Sequence, residues 1–215
     1  MKWKGLIFDR DGTLFDSLPM ILRSFNYAIE PFTDRRPSDH EWIETFGPAE
    51  PECIASFIPR DKVDEALQRF YIYYGEHISE SALFAGMREV LLRAKRDGAR
   101  IGLFTGGGKT STVLCLEKQG LLSLFDVLIT GDVVTHPKPH PEGILKALAA
   151  MNVPAERTLV VGDAGADVEA GKRAGACGVL VRWSSYAFPY LSEMQPDLTF
   201  DRVPEFERFL FEVQS

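Results

Sequence analysis

The stretch Phe8-Asp9-Arg10-Asp11-Gly12-Thr13-Leu14 follows the apolar run Leu6-Ile7-Phe8 and sets two carboxylates two residues apart. So short an apolar run reads as a strand, and residues i and i+2 of a strand point the same way. Asp9 and Asp11 are therefore predicted to meet one substrate atom at the strand's mouth, while Arg10 faces away from them, as a structural residue or as one at an interface with a cap. Gly12 and Thr13 offer backbone N–H groups in a turn, where glycine permits the close approach an anion needs. Two acids beside such a cradle repel a phosphate unless a metal ion sits between them. The string thus predicts magnesium and phosphoryl chemistry together. Alone, it also suits an Asp-rich turn that caps the next element, so the rest of the chain has to decide.

Later in the chain, strand patterns alternate with helix patterns. Short apolar runs occur at Arg100–Phe104, 127–129, 158–161, 178–181 and 198–200. Helical stripes fall between them, from Met87 to Ala94, Lys109 to Gln119, Glu142 to Met151 and Val168 to Ala174, with a last helix from Val203. That alternation predicts an α/β fold with a Rossmann-like parallel sheet covered on both faces. The first strand belongs to this sheet, yet the segment 16–82 separates it from the second. There the apolar positions of Leu18–Ile29 and of Val63–Tyr74 recur at helical spacing. A further helix is expected near Ser38–Phe46, with Ser38 as its cap. No strand is read in this segment. A connection so long needs its own fold, so an α-helical cap domain at 16–82 is expected, inserted into an α/β core of 1–15 and 83–215. In the run 70–74, Phe70 and Tyr74 fall on the helix's core side.

The remaining polar motifs all stand where strands end, which is where a sheet of this kind binds ligands. Thr105 follows Phe104 and leads into Gly106-Gly107-Gly108-Lys109-Thr110 at a helix start, which suits a phosphate oxygen. The string is not a P-loop, because position 103 is Leu and counting from Gly102 leaves five intervening residues instead of four. His136-Pro137-Lys138-Pro139-His140-Pro141 holds one Lys between prolines, which impose its direction. A cation there would offset negative charge at the two acids. His136 and His140 show no paired ligand pattern and read as exposed loop residues. Asp163 ends the run Leu159–Val161 after Gly162, and Asp167 lies one helical turn later, so both can face one cavity.

The order D-x-D-G-T, Thr after the second strand, K-P, then G-D-x-x-x-D resembles the haloacid dehalogenase superfamily. The likeness extends over nearly the full length, in the phosphatase branch with a helical cap after the first strand. Phe46-Gly47-Pro48 is similar to a glycine-containing cap loop near the substrate in the phosphoglycolate phosphatase group. The resemblance implies a Mg2+-dependent phosphomonoester hydrolase working through an aspartyl-phosphate. It implies Asp9 as nucleophile and Asp11 as general acid and base. Mg2+ is implied at the Asp9 carboxylate, the Asp11 carbonyl and Asp163, with Asp167 behind them. Gly12, Thr13, Thr105, the Gly106 N–H and Lys138 would bind the phosphoryl group. The family commonly has Asn after the motif Thr, and the three glycines here are expected to loosen substrate or cap contacts. A small phosphorylated metabolite is the expected substrate, phosphoglycolate first.

The alternative function is a sugar-phosphate mutase of the β-phosphoglucomutase kind, which would hold its sugar with cap residues. Arg23, Arg35, Arg36, Arg60, Lys62 and Arg69 are the cations available there. A dehalogenase would leave Asp11 and Asp163 unexplained. A non-catalytic binding protein of the same fold is the remaining reading.

The chain has 215 residues, 45% hydrophobic, with a formal charge of −7. That balance argues against nucleic-acid and acidic-membrane partners. Three scattered cysteines give no disulfide or zinc pattern, and the opening Met1-Lys2-Trp3-Lys4-Gly5 reads as neither signal peptide nor span. Cytoplasmic location and a monomer or homodimer are expected.

Overall fold

The computed structural model describes residues 2–184, 186 and 194–212. The chain opens with β1 (Gly5–Phe8) and β2 (Phe15–Asp16), then runs through α1 (Leu18–Ile29), α2 (Asp39–Ile43), α3 (Glu50–Ala55) and α4 (Val63–His77). After β3 (Ala82–Leu83) come α5 (Met87–Arg96), β4 (Arg100–Phe104), α6 (Lys109–Lys118), β5 (Val127–Ile129) and α7 (Glu142–Met151). It ends with β6 (Thr158–Gly162), α8 (Gly165–Arg173), β7 (Cys177–Val181), β8 (Leu198–Phe200) and α9 (Val203–Phe211).

Six strands form one parallel sheet in the order β5-β4-β1-β6-β7-β8. β1 lies at its centre, with Phe8 level with Leu103 on one side and Val161 on the other. From β1 the chain moves outward through β4 and β5, and from β6 it moves outward the opposite way. The crevice between the ends of β1 and β6 is thus the point where connections diverge, the usual ligand site of such sheets. Side chains alternate along β1 as a doubly covered strand requires. Leu6 and Phe8 join one buried cluster, while Ile7 packs with Ile144, Ala147 and Val160 on the other face.

The first of these clusters continues into the segment between β2 and β3. The face of α1 that carries Leu18, Ile21, Leu22, Phe25, Ala28 and Ile29 is buried throughout. Phe25 stands 4.7 Å from both Trp42 and Phe70, ring centre to ring centre. Phe70 and Tyr74 are buried as their helical positions require, while Ile72 points to solvent. Ser38 caps α2 through a reciprocal bond with Glu41.

Four features differ from the sequence reading. β2 and β3 form a two-residue antiparallel pair at the two passages into the helical segment, Phe15 opposite Leu83 and Asp16 opposite Ala82. Two residues are too few to show a strand period. α3 is not among the helices expected from the sequence; Pro51 sits in its first turn, where a missing N–H costs little. α8 begins at Gly165, ahead of the apolar stripe at Val168. α2 stops at Ile43, short of Phe46. Among the described residues no helix is long and apolar enough to cross a membrane.

The helical segment leans on one indole. Trp42 is fully buried, stacks on Phe25 and donates its indole N–H to Asn26 Oδ1 at 3.2 Å. Trp42→Ala should lower stability by about 3–5 kcal/mol in urea unfolding; a loss below about 1 kcal/mol would show that α2 is not part of the cooperative core.

Candidate active site

Burial forces an unusual charge balance at the ends of β1 and β6. Lys138 Nζ lies 2.6 Å from Asp9 Oδ1 and 2.6 Å from Asp167 Oδ1, with all three side chains largely buried. Burial alone would lower the lysine's pKa, but Asp167 and Asp9 outweigh it and hold the ammonium charged. Asp167 is further fixed by the Ala164 N–H at 3.1 Å. Asp9 is pushed up to about 7, first by burial and then by Asp167 and Asp11, against the pull of Lys138.

Asp163 completes the cluster. Its Oδ1 accepts from Thr13 Oγ1 at 3.3 Å, while its buried Oδ2 has no hydrogen-bond partner. Burial, Asp9 and Asp167 raise its pKa well above the ordinary carboxylate value. Gly12 is required beside it: its φ is +79°, and a Cβ there would stand 2.1 Å from Asp163 Oδ2. One ammonium therefore pairs with two of these three acids, and one buried oxygen of the third has no partner among the described residues. That donor set fits a hard divalent cation such as Mg2+ bound through Asp9 and Asp163.

The structure brings the expected residues together. Asp9, Asp11, Gly12, Thr105, Gly106, Lys138, Asp163 and Asp167 line one cavity of about 710 Å³, and Thr13 lies just behind it on Asp163. Thr105 is buried at the end of β4, with its hydroxyl accepting from the Gly107 N–H at 3.2 Å. Gly47, in the expected Phe46-Gly47-Pro48 loop, lines the same cavity.

Arg10 corrects the sequence reading. It is buried and grips Asp11, with Nη2 and Nε at 2.8 and 2.9 Å from Asp11 Oδ2. Strand alternation fails because β1 ends at Phe8, after which the Leu14 and Phe15 N–H groups both bond back to the Arg10 carbonyl. The Arg10 guanidinium also donates to Thr112 Oγ1 at 2.9 Å and Ser111 Oγ at 3.2 Å. Burial opposes its charge, but Asp11 outweighs that cost and raises its pKa well above the ordinary value. The other oxygen of Asp11 accepts from Ser17 Oγ at 2.5 Å.

Two partners escaped the sequence reading. Ser17 carried no signal beyond its place at the start of α1. Glu50, on α3, is buried and accepts from the Gly108 N–H at 2.8 Å and from Ser111 Oγ. This carboxylate ties the helical segment to the loop after Thr105.

The three glycines also act opposite to expectation. A Cβ on Gly106 would stand 2.9 Å from the Gly47 carbonyl oxygen, on Gly107 2.5 Å from Arg10 Nη2, and on Gly108 2.6 Å from Glu50 Oε2. They admit three close neighbours and tighten the junction instead of loosening it. His136 and His140 are exposed as expected, but they gather at Glu142, His136 Nδ1 lying 3.0 Å from its carboxylate. Both oxygens of Glu142 are also held by the Thr135 and His136 N–H groups and by Lys146.

A parallel sheet thus gathers paired aspartates, a further pair of acids and a lysine at the ends of β1 and β6, where sheets of this kind bind ligands. Residues 6–181 match the haloacid dehalogenase-like hydrolases, and the chain belongs to that family. A curated relative, pyrophosphatase PpaX of Bacillus mycoides (strain KBAB4), is 30% identical over 206 residues, 95% of each chain. Another PpaX, from Bacillus thuringiensis (strain Al Hakam), is 28% identical over 95% of each. The structure of a predicted phosphoglycolate phosphatase from Haemophilus somnus 129PT is similar in fold. It has a TM-score of 0.84 and 23% identity, over 100% of this chain and 99% of that one. CbbY from Rhodobacter sphaeroides, in complex with phosphate, has a TM-score of 0.78 at 24% identity, over 93% and 94%.

The contact between Gly107 and Arg10 yields a direct test. Gly107→Ala should destabilise the protein by about 1–3 kcal/mol through overpacking against the guanidinium. In an Arg10→Met background that cost should shrink by about 1 kcal/mol or more. Equal costs in urea unfolding of the two backgrounds would mean that the guanidinium does not set the glycine requirement.

Proposed function

We propose that the chain hydrolyses a small phosphomonoester through an aspartyl-phosphate on Asp9, with Mg2+ as its cofactor. The observation that carries this reading is the buried Lys138 shared by Asp9 and Asp167 beside the unpartnered oxygen of Asp163. Such a cluster resists full ionisation of its acids until a cation binds among them, and that cation then admits the anionic phosphoryl group.

An Asp9 carboxylate oxygen attacks phosphorus, the ester P–O bond breaks, and the alcohol leaves with a proton from Asp11. Water then attacks the acyl phosphate, gives its proton to Asp11, and phosphate departs as Asp9 is regenerated. Lys138, the Thr105 hydroxyl, the Gly106 N–H and the turn N–H groups of Gly12 and Thr13 hold the phosphoryl oxygens. Mg2+, bound by the Asp9 carboxylate, the Asp11 carbonyl and Asp163, supplies charge neutralisation for the phosphoryl group. Asp167 orients Lys138. Arg10 and Ser17 hold the Asp11 side chain where it lines the cavity.

Residues 16–82 act in this proposal as a cap over a core of 1–15 and 83–215, entering and leaving through the β2–β3 pair. Hydrolysis is favoured over a mutase by the cavity wall. None of Arg23, Arg35, Arg36, Arg60, Lys62 or Arg69 lines it, so the cap brings no Lys or Arg to hold a sugar phosphate's second polar end. Phosphoglycolate is the substrate the resemblance suggests, and pyrophosphate is the one in the relatives' name. Each carries a second anion that would need its own cation.

Phosphate release from phosphomonoesters should require Mg2+, stop with EDTA, and fall by about 10³-fold or more in Asp9→Asn. Release that persists in Asp9→Asn would reject Asp9 as the nucleophile.

A further inference from the structure

Resting on the phosphatase reading above, we propose that the alcohol released from the substrate is uncharged and largely hydrocarbon. The substrate is then an alkyl or aryl phosphomonoester, not a phosphorylated acid, a pyrophosphate or a sugar phosphate.

The cavity is divided by chemistry. On the core side stand the four aspartates, the lysine and the phosphate-binding N–H groups, while Glu44, Glu50 and His40 enter the lining from the helical segment. The facing wall is built from Leu18, Ile21, Phe25, Ile43, Phe46 and Phe70. Ile43 and Phe46 are half-buried, with surface left for a ligand, while Phe25 and Phe70 support them from the buried cluster. Cys53 also lies on this wall, and burial raises its thiol to about 11, so it stays neutral.

Charge points the same way. The acidic residues of the lining are Asp9, Asp11, Glu44, Glu50, Asp163 and Asp167, and its Lys and Arg residues are Arg10 and Lys138. Arg10 is committed to Asp11, and Lys138 is shared by Asp9, Asp167 and the phosphoryl group of the proposed mechanism. The cap's own cations point elsewhere: Arg23 pairs with Glu80, Arg35 with Glu41, Arg60 with Glu52, Lys62 lies near Asp61, and Arg69 bonds the Tyr27 carbonyl. Arg36 lines a separate groove with Arg23 and Arg35. His40 lies at the exposed mouth and pairs with Glu44. The residues outside the described set include no Lys, Arg or His.

A divalent metal and Lys138 would balance the phosphoryl group, and the lining holds no further Lys or Arg to balance a second anion. A carboxylate or second phosphate at the apolar wall would lose hydration without gaining a partner. A sugar would bury several hydroxyls there unpaired. A hydrocarbon group loses only its contact with water, which favours binding.

The experiment compares kcat/KM, with Mg2+, for methyl, butyl and hexyl phosphate against phosphoglycolate and pyrophosphate. The straight-chain alcohols have nearly equal leaving ability, so a change along the series reports the wall. A rise of about 3- to 4-fold per methylene is expected, the value for hydrocarbon leaving water. Hexyl phosphate should exceed phosphoglycolate and pyrophosphate.

Phe46→Arg and Ile43→Arg, on two parts of the wall, should each raise phosphoglycolate turnover about 10- to 100-fold, the worth of a hydrogen bond to a charged group. Each should also weaken hexyl phosphate. A flat alkyl series, or phosphoglycolate or pyrophosphate as the better substrate in the wild type, overturns the proposal.

Binding separates this result from failure of the phosphatase reading. Methyl, butyl and hexyl phosphonate are titrated calorimetrically into the Mg2+-supplemented Asp9→Asn protein. Affinity rising with chain length supports the apolar wall even where no ester is hydrolysed, and affinity independent of chain length overturns it.

Discussion

A single ammonium group placed among buried carboxylates constrains the whole site. Lys138 reaches Asp9 at the end of β1 and Asp167 on α8, joining the two strands where the sheet's connections diverge. Three acids at one sheet edge repel one another, and burial makes each charge more costly. The lysine offsets part of this and leaves an oxygen of Asp163 without a partner. The cluster therefore lacks positive charge, which a bound cation would supply. Parallel strands supply this geometry because their ends bring residues distant in sequence to one crevice.

A second network lies beside the first and belongs to features particular to this chain. Arg10 stands between the two motif acids, takes hold of Asp11 and reaches Ser111 and Thr112 on α6. Ser111 in turn donates to Glu50 on α3. The helical segment is thus connected through Glu50, Ser111 and Arg10 to the acid that serves the leaving group in the proposed mechanism. The three glycines after Thr105 are the space this junction needs. Any side chain there would strike the Gly47 carbonyl, the guanidinium or the Glu50 carboxylate. An arginine in the motif and a glycine at position 107 are thereby two parts of one packing solution.

Much of the core was legible in the sequence because its signals are local. Apolar runs ending in Asp9, Thr105 and Asp163 mark strands by length and composition, and the polar residue that follows each is carried to the sheet edge by connectivity. The stripes of α1 and α4 were legible through their period, and Ser38 through its capping pattern. The misses have physical reasons. Arg10 was assigned by strand alternation, but the strand had already turned. α3 was hidden by prolines that serve as first-turn residues. Glu50 offered no local signal, since its role depends on a contact with residues 108 and 111. The gathering of His136 and His140 at Glu142 likewise depends on how the proline-rich loop returns onto α7.

The most direct test of the central claim, a covalent phosphoryl group on Asp9, is acid quenching of the Mg2+-loaded enzyme during turnover of a phosphomonoester, followed by tryptic digestion and mass spectrometry. Cleavage after Lys4 and Arg10 releases Gly5–Arg10, in which Asp9 is the sole side-chain carboxylate. The account predicts that this peptide carries the added mass of one phosphoryl group, and that the addition is absent in Asp9→Asn. Phosphate released at the full rate with the phosphoryl group on another peptide would contradict it.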